Sequence, residues 1–498
     1  MYRSSSIPVK QKWSATVAFV FATAVFGVLT LHMVDSAQTA ASLSIITMLL
    51  AGVTAYSRFR EHGLDPLALF CTAFAGYDGL LLFRLATVSS EEHLVYPSAF
   101  GQDTFADVGI LVALAATTIC LTALSWETIV APLFSRSSNA SQTRTELRRY
   151  GSQMWFWAGA ISYIAGLIMY FLQYAQLGGY FATLAMDRGD RYSAGTYANL
   201  LSYPYTAFIV PGLAGMFLGA YSAQIGSQRF WSWLFASLWC VLLILQGDRR
   251  LVLQAGCAIL GVLSVVRPKM LKLRARTWLL FVLGYVFLSI FGHVRYLTNP
   301  VISGQTSVQA AWAEVSDRWT QEWFAPENTE FAGPYYSLLS VVSESAQHIY
   351  GESYYNSFLL VIPKRLYVGE KPELLTRKFD EQVHEGGGTI YGWGYNPVAE
   401  AFLNFGTIGV ALVFVLWSLF FLCIGLIKHR GTWGLLLFSA LLSESVNANR
   451  IDFGVVYAES VYMVLGVFSV ICMNRVLAGF RNTNPLFSPG ARALPCPR

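Results

Sequence analysis

The chain has 498 residues, of which 55% are hydrophobic and only 13% charged. Apolar content that high, gathered in runs of about 20 residues, marks a polytopic helical membrane protein and excludes an ordinary soluble domain. The formal net charge of +5 decides little, because in such a chain the placement of charge along the loops carries the information.

Runs long enough to cross a bilayer fall at roughly 14–34, 37–57, 66–86, 105–130, 155–177, 203–224, 230–247, 251–266, 278–297, 397–427, 432–447 and 454–474, twelve in all. The first, within "WSATVAFVFATAVFGVLTLHMV", lacks a small-residue cleavage motif and reads as a retained signal anchor. The segments "MYRSSSIPVKQKW", "SRFREHG", "SRSSNASQTRTELRRY", "SQRF", "RPKMLKLRARTW", "KHRGTW" and the C-terminal tail hold 21 of the 34 Lys and Arg residues, and only four acids lie in or close beside them, Glu61, Asp65, Glu127 and Glu146. By the positive-inside rule these segments are expected to be cytoplasmic, with both termini.

The expected organisation follows. Spans one to nine occupy 1–297, a periplasmic loop or lid 298–396, spans ten to twelve 397–474 and a cytoplasmic tail 475–498. The long loop is far beyond a simple connection and holds helical-looking pieces such as "SVQAAWAEVSDRW" and "YYSLLSVVSESAQHIY". Gly215 and Gly219, spaced four apart on span six, read as a helix-packing pair. Of seven cysteines, six lie inside apolar runs and Cys496 lies in the tail, so no disulfide framework is expected.

Several chemistries have no place in the chain. It has no Walker loop, dinucleotide fingerprint or zinc-protease helix motif, and its histidines show no metal-ligand spacing. No cytoplasmic segment has room for a nucleotide-binding domain. No cofactor and no metal are therefore expected.

Ionisable residues collect instead at the outer ends of spans. Arg188 and Arg191 lie in the 178–202 loop, and Asp248, Arg249 and Arg250 cap the hairpin between spans seven and eight. His293 and Arg295 close span nine, Glu400 opens span ten, and Glu444 and Arg450 flank the turn before span twelve. An arginine there also suits snorkelling to lipid phosphates, but Arg249 and Arg295 stand at span ends against the positive-inside bias. In "GYNPVAEAFLNFGTIGV", Asn396 reads as an N-cap and Pro397 as the first helical residue. Glu400 is then one turn in, with Asn404 on the same face, and a carboxylate there should face protein, water or substrate rather than lipid.

The order of these parts resembles the Wzy-type O-antigen polymerases, or oligosaccharide repeat-unit polymerases. The resemblance rests on many spans, an Arg turn in "QGDRR", a large late outer loop, "IPKRLYVGEKP", and a Gly-rich turn running into "AEAFLNFGTIG". In the family a small residue often precedes the arginine, so here the role falls to Arg249 or Arg250. The resemblance implies a membrane-embedded, all-α, metal-independent glycosyltransferase of about 12 helices. It would polymerise undecaprenyl-pyrophosphate-linked repeat units at the periplasmic face, as in lipopolysaccharide biosynthesis. Implied partners are the lipid-linked glycans, membrane lipids, a chain-length regulator and a flippase, with no nucleic acid. In that mechanism Arg249 and Arg295 stabilise the leaving pyrophosphate, and Arg250, Arg450 and Arg365 are reserve phosphate ligands. Glu400, or His384, orients or deprotonates the attacking hydroxyl. The related O-antigen ligases share the architecture, and a flippase or exporter of lipid-linked glycans is the alternative from another class.

Overall fold

The computed structural model describes residues 36–83, 102–130, 152–175, 177–185, 205–246, 248–268, 300–313, 316, 332–344, 347–362, 367–384 and 394–483. The principal elements among them are helices: α1 (Ser36–His62), α2 (Pro66–Phe74, prolonged by a π turn, Ala75–Leu80), α3 (Gln102–Ser125, ending in a π turn, Trp126–Val130), α4 (Ser152–Ala175), α5 (Tyr180–Ala185), α6 (Tyr205–Ala223), α7 (Gly226–Gln246) and α8 (Arg249–Val266). Then come α9 (Ala332–Ser343), α10 (Glu352–Leu360) and α11 (Leu375–His384) in the long loop, followed by α12 (Pro397–Ile427), α13 (Gly431–Leu441), α14 (Glu444–Asn447) and α15 (Phe453–Thr483). No strand occurs among the described residues.

Eight stretches are long and apolar enough to cross a membrane: 39–62, 66–83, 103–130, 153–175, 205–223, 226–246, 397–427 and 453–480; Arg250–Val266 is a shorter apolar helix. The expected spans 14–34 and 278–297 lie outside the described residues. The expected span 432–447 is not one helix. It breaks after Leu441, and the chain turns through Leu442 and Ser443 into the four-residue α14.

The surface has the polarity of a bundle in an apolar solvent. On the long part of α12 the exposed large side chains are Ile408, Leu412 and Leu416, a stripe at helical spacing, and α4 exposes Trp157, Ile161, Ile164, Ile168 and Phe171. Polar groups lie inside, among them Asp78, Gln254, Asn404, Glu444 and Asn447, each with no exposed surface.

Small residues set the closest helix contact. A Cβ on Gly219 of α6 would collide with the Phe156 backbone of α4, and one on Gly159 of α4 would lie 2.5 Å from the Gly212 carbonyl oxygen. The Gly215–Gly219 pair thus packs helices, as its spacing predicts. Pro211 of α6 has no N–H to offer the Ala207 carbonyl, and Gly466 of α15 packs against that oxygen. A second contact is aromatic: Phe70 and Phe74 of α2 meet Phe421 and Phe414 of α12 at ring distances of 4.9 and 5.5 Å.

One end of the bundle is tied by charge. Asp65 caps α2 by accepting Ala68 N–H at 3.0 Å, and it also pairs with Arg58 at 2.6 Å. Arg58 reaches Glu127 at the end of α3, and Lys428, just beyond α12, donates to the Leu64 carbonyl at 3.0 Å. The α1–α2 turn, the end of α3 and the α12–α13 turn therefore share one end.

At the opposite end α12 departs from a straight span. Gly406 has φ 66° and ψ −159°, a backbone region essentially reserved for glycine. The chain reverses there into two limbs, Pro397–Phe405 and Thr407–Ile427. A Cβ on Gly409 would lie 2.6 Å from the Ala401 carbonyl oxygen. In a continuous helix residues eight apart are separated by about 12 Å. The short limb is consequently pushed back into the bundle. Its cap, Asn396, donates to Asp78 at 2.6 Å while its own Oδ1 accepts Val398 N–H at 2.7 Å. Asp78 lies in the π turn of α2, about 18 Å of helix beyond Pro66.

Candidate active site

The reversal at Gly406 places Glu400 inside the protein, only 2% exposed. Its Oε1 accepts the Ser353 hydroxyl of α10 and its Oε2 accepts the backbone N–H of Phe453, the first residue of α15, both at 2.7 Å. Asn404, one turn along the same face, donates to Ser353 Oγ at 2.8 Å and to the Glu400 carbonyl at 2.7 Å. The expected pairing of Glu400 and Asn404 on one face is present, and both converge on a hydroxyl from the long loop.

Asp452 stands beside them as the cap of α15, its Oδ1 accepting Val455 N–H at 3.1 Å. Its Oδ2 accepts the Thr376 backbone N–H at 3.1 Å and hydroxyl at 2.8 Å, which fastens the start of α11 to the start of α15. Burial pushes the Asp452 carboxyl above its ordinary range, against the opposing pull of the bonds from Thr376 and Val455. Burial likewise raises the phenol of Tyr395, with Glu400 and Asp452 adding to the effect.

These groups line a cavity of about 200 Å³ closed by α9, α10 and α11 on one side and by α12 and α15 on the other. Five carboxylates contribute to the lining, Glu344, Glu352, Glu373, Glu400 and Asp452, against one cation, Lys378. Such a wall attracts hydroxyl and ammonium donors and repels phosphate. Within the cavity Glu400 and Asp452 are the buried acids, and each keeps accepting capacity beyond the bonds described.

A second polar cluster lies farther along α15. Arg250 pairs with Glu459 at 2.6 Å, and Gln254 Nε2 donates to Glu459 at 2.6 Å and to Glu444 at 3.3 Å. Six residues of α15 separate Phe453 from Glu459, about 9 Å along the axis. The hairpin before this cluster is set by Asp248, which caps α8 by accepting Leu251 N–H at 3.2 Å. Arg250 is therefore fixed by a carboxylate from the last helix. Arg450 lies in the α14–α15 turn, outside the cavity lining, with its carbonyl accepting Tyr395 N–H at 3.0 Å.

The remaining expected site residues fall at the limits of what is described. Arg249 begins α8 and His384 ends α11, and the side chains of both lie outside the described residues, as do Arg188, Arg191, His293, Arg295 and Arg365 entirely. Sequence reasoning passed over Asp452, Ser353, Thr376 and Gln254. Only Asp452 left a signal, as an acid placed just before an apolar run, where a helix cap belongs. Among the described residues, Glu61, His62 and Glu127 could share a metal ion, but they lie at the opposite end, where Arg58 already pairs with Glu127.

Fold and site together define a helical membrane protein with an acid-lined cavity at one end of its bundle, open to the outside and floored by the buried Glu400 and Asp452. No protein-family model matches the chain, and no curated protein or solved structure matches it either.

Proposed function

We propose that the protein is a membrane-embedded glycosyltransferase that polymerises undecaprenyl-pyrophosphate-linked oligosaccharide repeat units at the periplasmic face. The observation that carries this reading is Glu400, a buried carboxylate held by Ser353 and Phe453 at the wall of a cavity roofed by the long loop. A carboxylate so fixed is suited to orient a hydroxyl and take its proton. The acid-lined cavity suits the sugar end of the acceptor and not a pyrophosphate, so the two substrates divide between two regions. The acceptor's hydroxyls enter beside Glu400, and the donor's lipid pyrophosphate lies toward the arginines, Arg250 with Arg249, Arg295, Arg365 or Arg450.

In the reaction the acceptor oxygen bonds to the donor's anomeric carbon as that carbon's bond to the pyrophosphate oxygen breaks. The hydroxyl proton passes to Glu400, and the arginines stabilise the charge that the pyrophosphate carries away. An O-antigen ligase-like transfer would use the same chemistry with a different acceptor. A flippase or exporter is the second reading, favoured by one observation: Asp78 is fully buried within a span, with Oδ2 lacking a hydrogen-bond partner.

The test is complementation of a deletion strain by wild-type protein and by Glu400→Gln at matched levels. Glycan ladders and lipid-linked intermediates are then measured. The wild type should restore long chains, and the variant should leave single repeat units on lipid at the outer face. Wild-type ladders from Glu400→Gln would remove the catalytic assignment. Lipid-linked units trapped at the inner face would move the reading to transport.

A further inference from the structure

The junction of α8, α14 and α15 holds more oxygen than its hydrogen bonds use. Glu444, with no exposed surface, binds only through Oε1, which accepts Ser443 Oγ at 3.0 Å and Gln254 Nε2 at 3.3 Å. Its Oε2 has no hydrogen-bond partner, and neither do Gln254 Oε1, Asn447 Oδ1, Asn449 Oδ1 and Ser460 Oγ, all buried. Gln254 and Glu444 are joined directly, Asn447 follows Glu444 by three residues on the same helical turn, and Ser460 adjoins Glu459. Buried acceptors left without donors are costly, and three of them, on Glu444, on its partner Gln254 and on Asn447 one turn along, call for a ligand.

Charge points the same way. Glu459 is met by Arg250 at 2.6 Å, with Arg450 and Asp248 also within its electrostatic reach. Tyr205 lies near Glu459, and Cys257 near Glu444. Glu444 feels Glu459 as a like charge and Arg250 as an opposite one, and Arg250 spends its ion pair on Glu459. The helices also break here: α13 stops at Leu441, and Glu444 and Asn447 sit on α14, a separate short turn. Interrupted helices with carboxylate and amide oxygens are how membrane proteins coordinate small ions.

We propose that Glu444, Gln254 and Asn447 hold a small monovalent cation of the sodium class inside the bundle. A single carboxylate oxygen left without a donor, beside the unpartnered amide oxygens of Gln254 and Asn447, matches a single hard positive charge better than a divalent or a soft metal. Water in the ion's shell supplies the acceptor that Asn447 Nδ2 needs. The site is independent of the proposed glycosyl transfer, and it would fasten α8 to the α14–α15 turn.

The experiment is thermal unfolding of the purified full-length protein in detergent, titrated with sodium chloride against choline chloride at constant ionic strength. Potassium and lithium chloride are run in parallel. The wild type should gain roughly 2–5 °C in a saturable response to sodium and none to choline. Glu444→Gln and Asn447→Ala should lose the sodium response while keeping the melting temperature seen in choline. A wild type indifferent to all the alkali cations overturns the site, and if it is stabilised by acid alone, Glu444 carries a proton instead. Variants that keep the full response also overturn it. Should Glu444→Gln fail to accumulate, Asn447→Ala and the wild-type titration decide between these outcomes.

Discussion

Glu400 and Phe453 are joined by one hydrogen bond of 2.7 Å, from the first backbone N–H of α15 to a carboxylate on the reversed limb of α12. A helix leaves its first N–H groups without internal partners, so this bond satisfies α15 while anchoring the acid. Ser353 supplies the second donor, from a helix that belongs to the long loop. The site is therefore assembled from three separate parts of the chain.

Glu400→Ala leaves the Phe453 N–H and the Ser353 hydroxyl without their acceptor, and should cost about 1–3 kcal/mol of stability in addition to abolishing activity. Ser353→Ala should cost only about 0.5–1.5 kcal/mol, because Asn404 retains the Glu400 carbonyl as an acceptor. Thermal unfolding in detergent ranks the two. Equal losses would mean that the carboxylate contributes nothing to holding α15.

Gly406→Ala should be the most damaging small substitution in α12. Its backbone conformation is strained by about 1–3 kcal/mol for any residue with a Cβ. The added carbon would also stand 3.2 Å from His348 Nε2. Loss of accumulation, or of ladders at normal accumulation, is expected in complementation. A silent variant would show that the reversal is not needed.

Gly219→Ala and Gly256→Ala should act in opposite directions. At Gly219 a Cβ meets the backbone of Phe156, whereas at Gly256 nothing lies within 4 Å. The first should destabilise by pushing α4 from α6. The second should stabilise by up to about 1 kcal/mol, the ordinary helix advantage of alanine. Melting temperatures of the two purified variants provide the comparison.

Lys428 gives a pH dependence with a definite sign. Burial pushes its amine down from 10.5 to about 8, with Asp65 acting against that fall. Below pH 8 the folded protein carries a buried charge that the unfolded chain keeps in water, so the group costs stability there. As pH rises from about 8 to 10.5 the folded form loses its proton first, and that cost is removed. The melting temperature of wild type minus that of Lys428→Met should rise across this window. A flat difference would mean that Lys428 does not titrate there.

Polymerisation by purified protein should survive chelation of divalent metals. Glu400 and Asp452 at the cavity are engaged by hydroxyl and backbone donors, and among the described residues the His and carboxylate group that could share a divalent metal, Glu61 with His62 and Glu127, lies at the other end. Activity lost in EDTA and restored by magnesium would refute this.

Much of the local structure was written in the sequence. Asp65, Asp248 and Asn396 cap helices because a short acceptor side chain can reach the free N–H groups of the turn that follows it. Eight apolar stretches form helices long enough to span because buried backbone in lipid must bond within its own segment. The face shared by Glu400 and Asn404 also follows from helical spacing alone.

What the sequence could not show was which distant groups these helices bring together. Gly406 stands in an apolar run, and nothing in its local sequence marks a break there. Only its neighbours, with Asn396 drawn to Asp78 across 318 residues, fix the positive φ that reverses the chain. Arg250 reads as an available outer cation, yet it meets Glu459 on the last helix. Asp452 reads as a cap, yet it also fastens Thr376 and closes the cavity. Capping and span length depend on bonds within a few residues and survive in any context. Charge pairing and cavity walls depend on packing between helices remote in the chain, and that is settled only when the whole bundle closes.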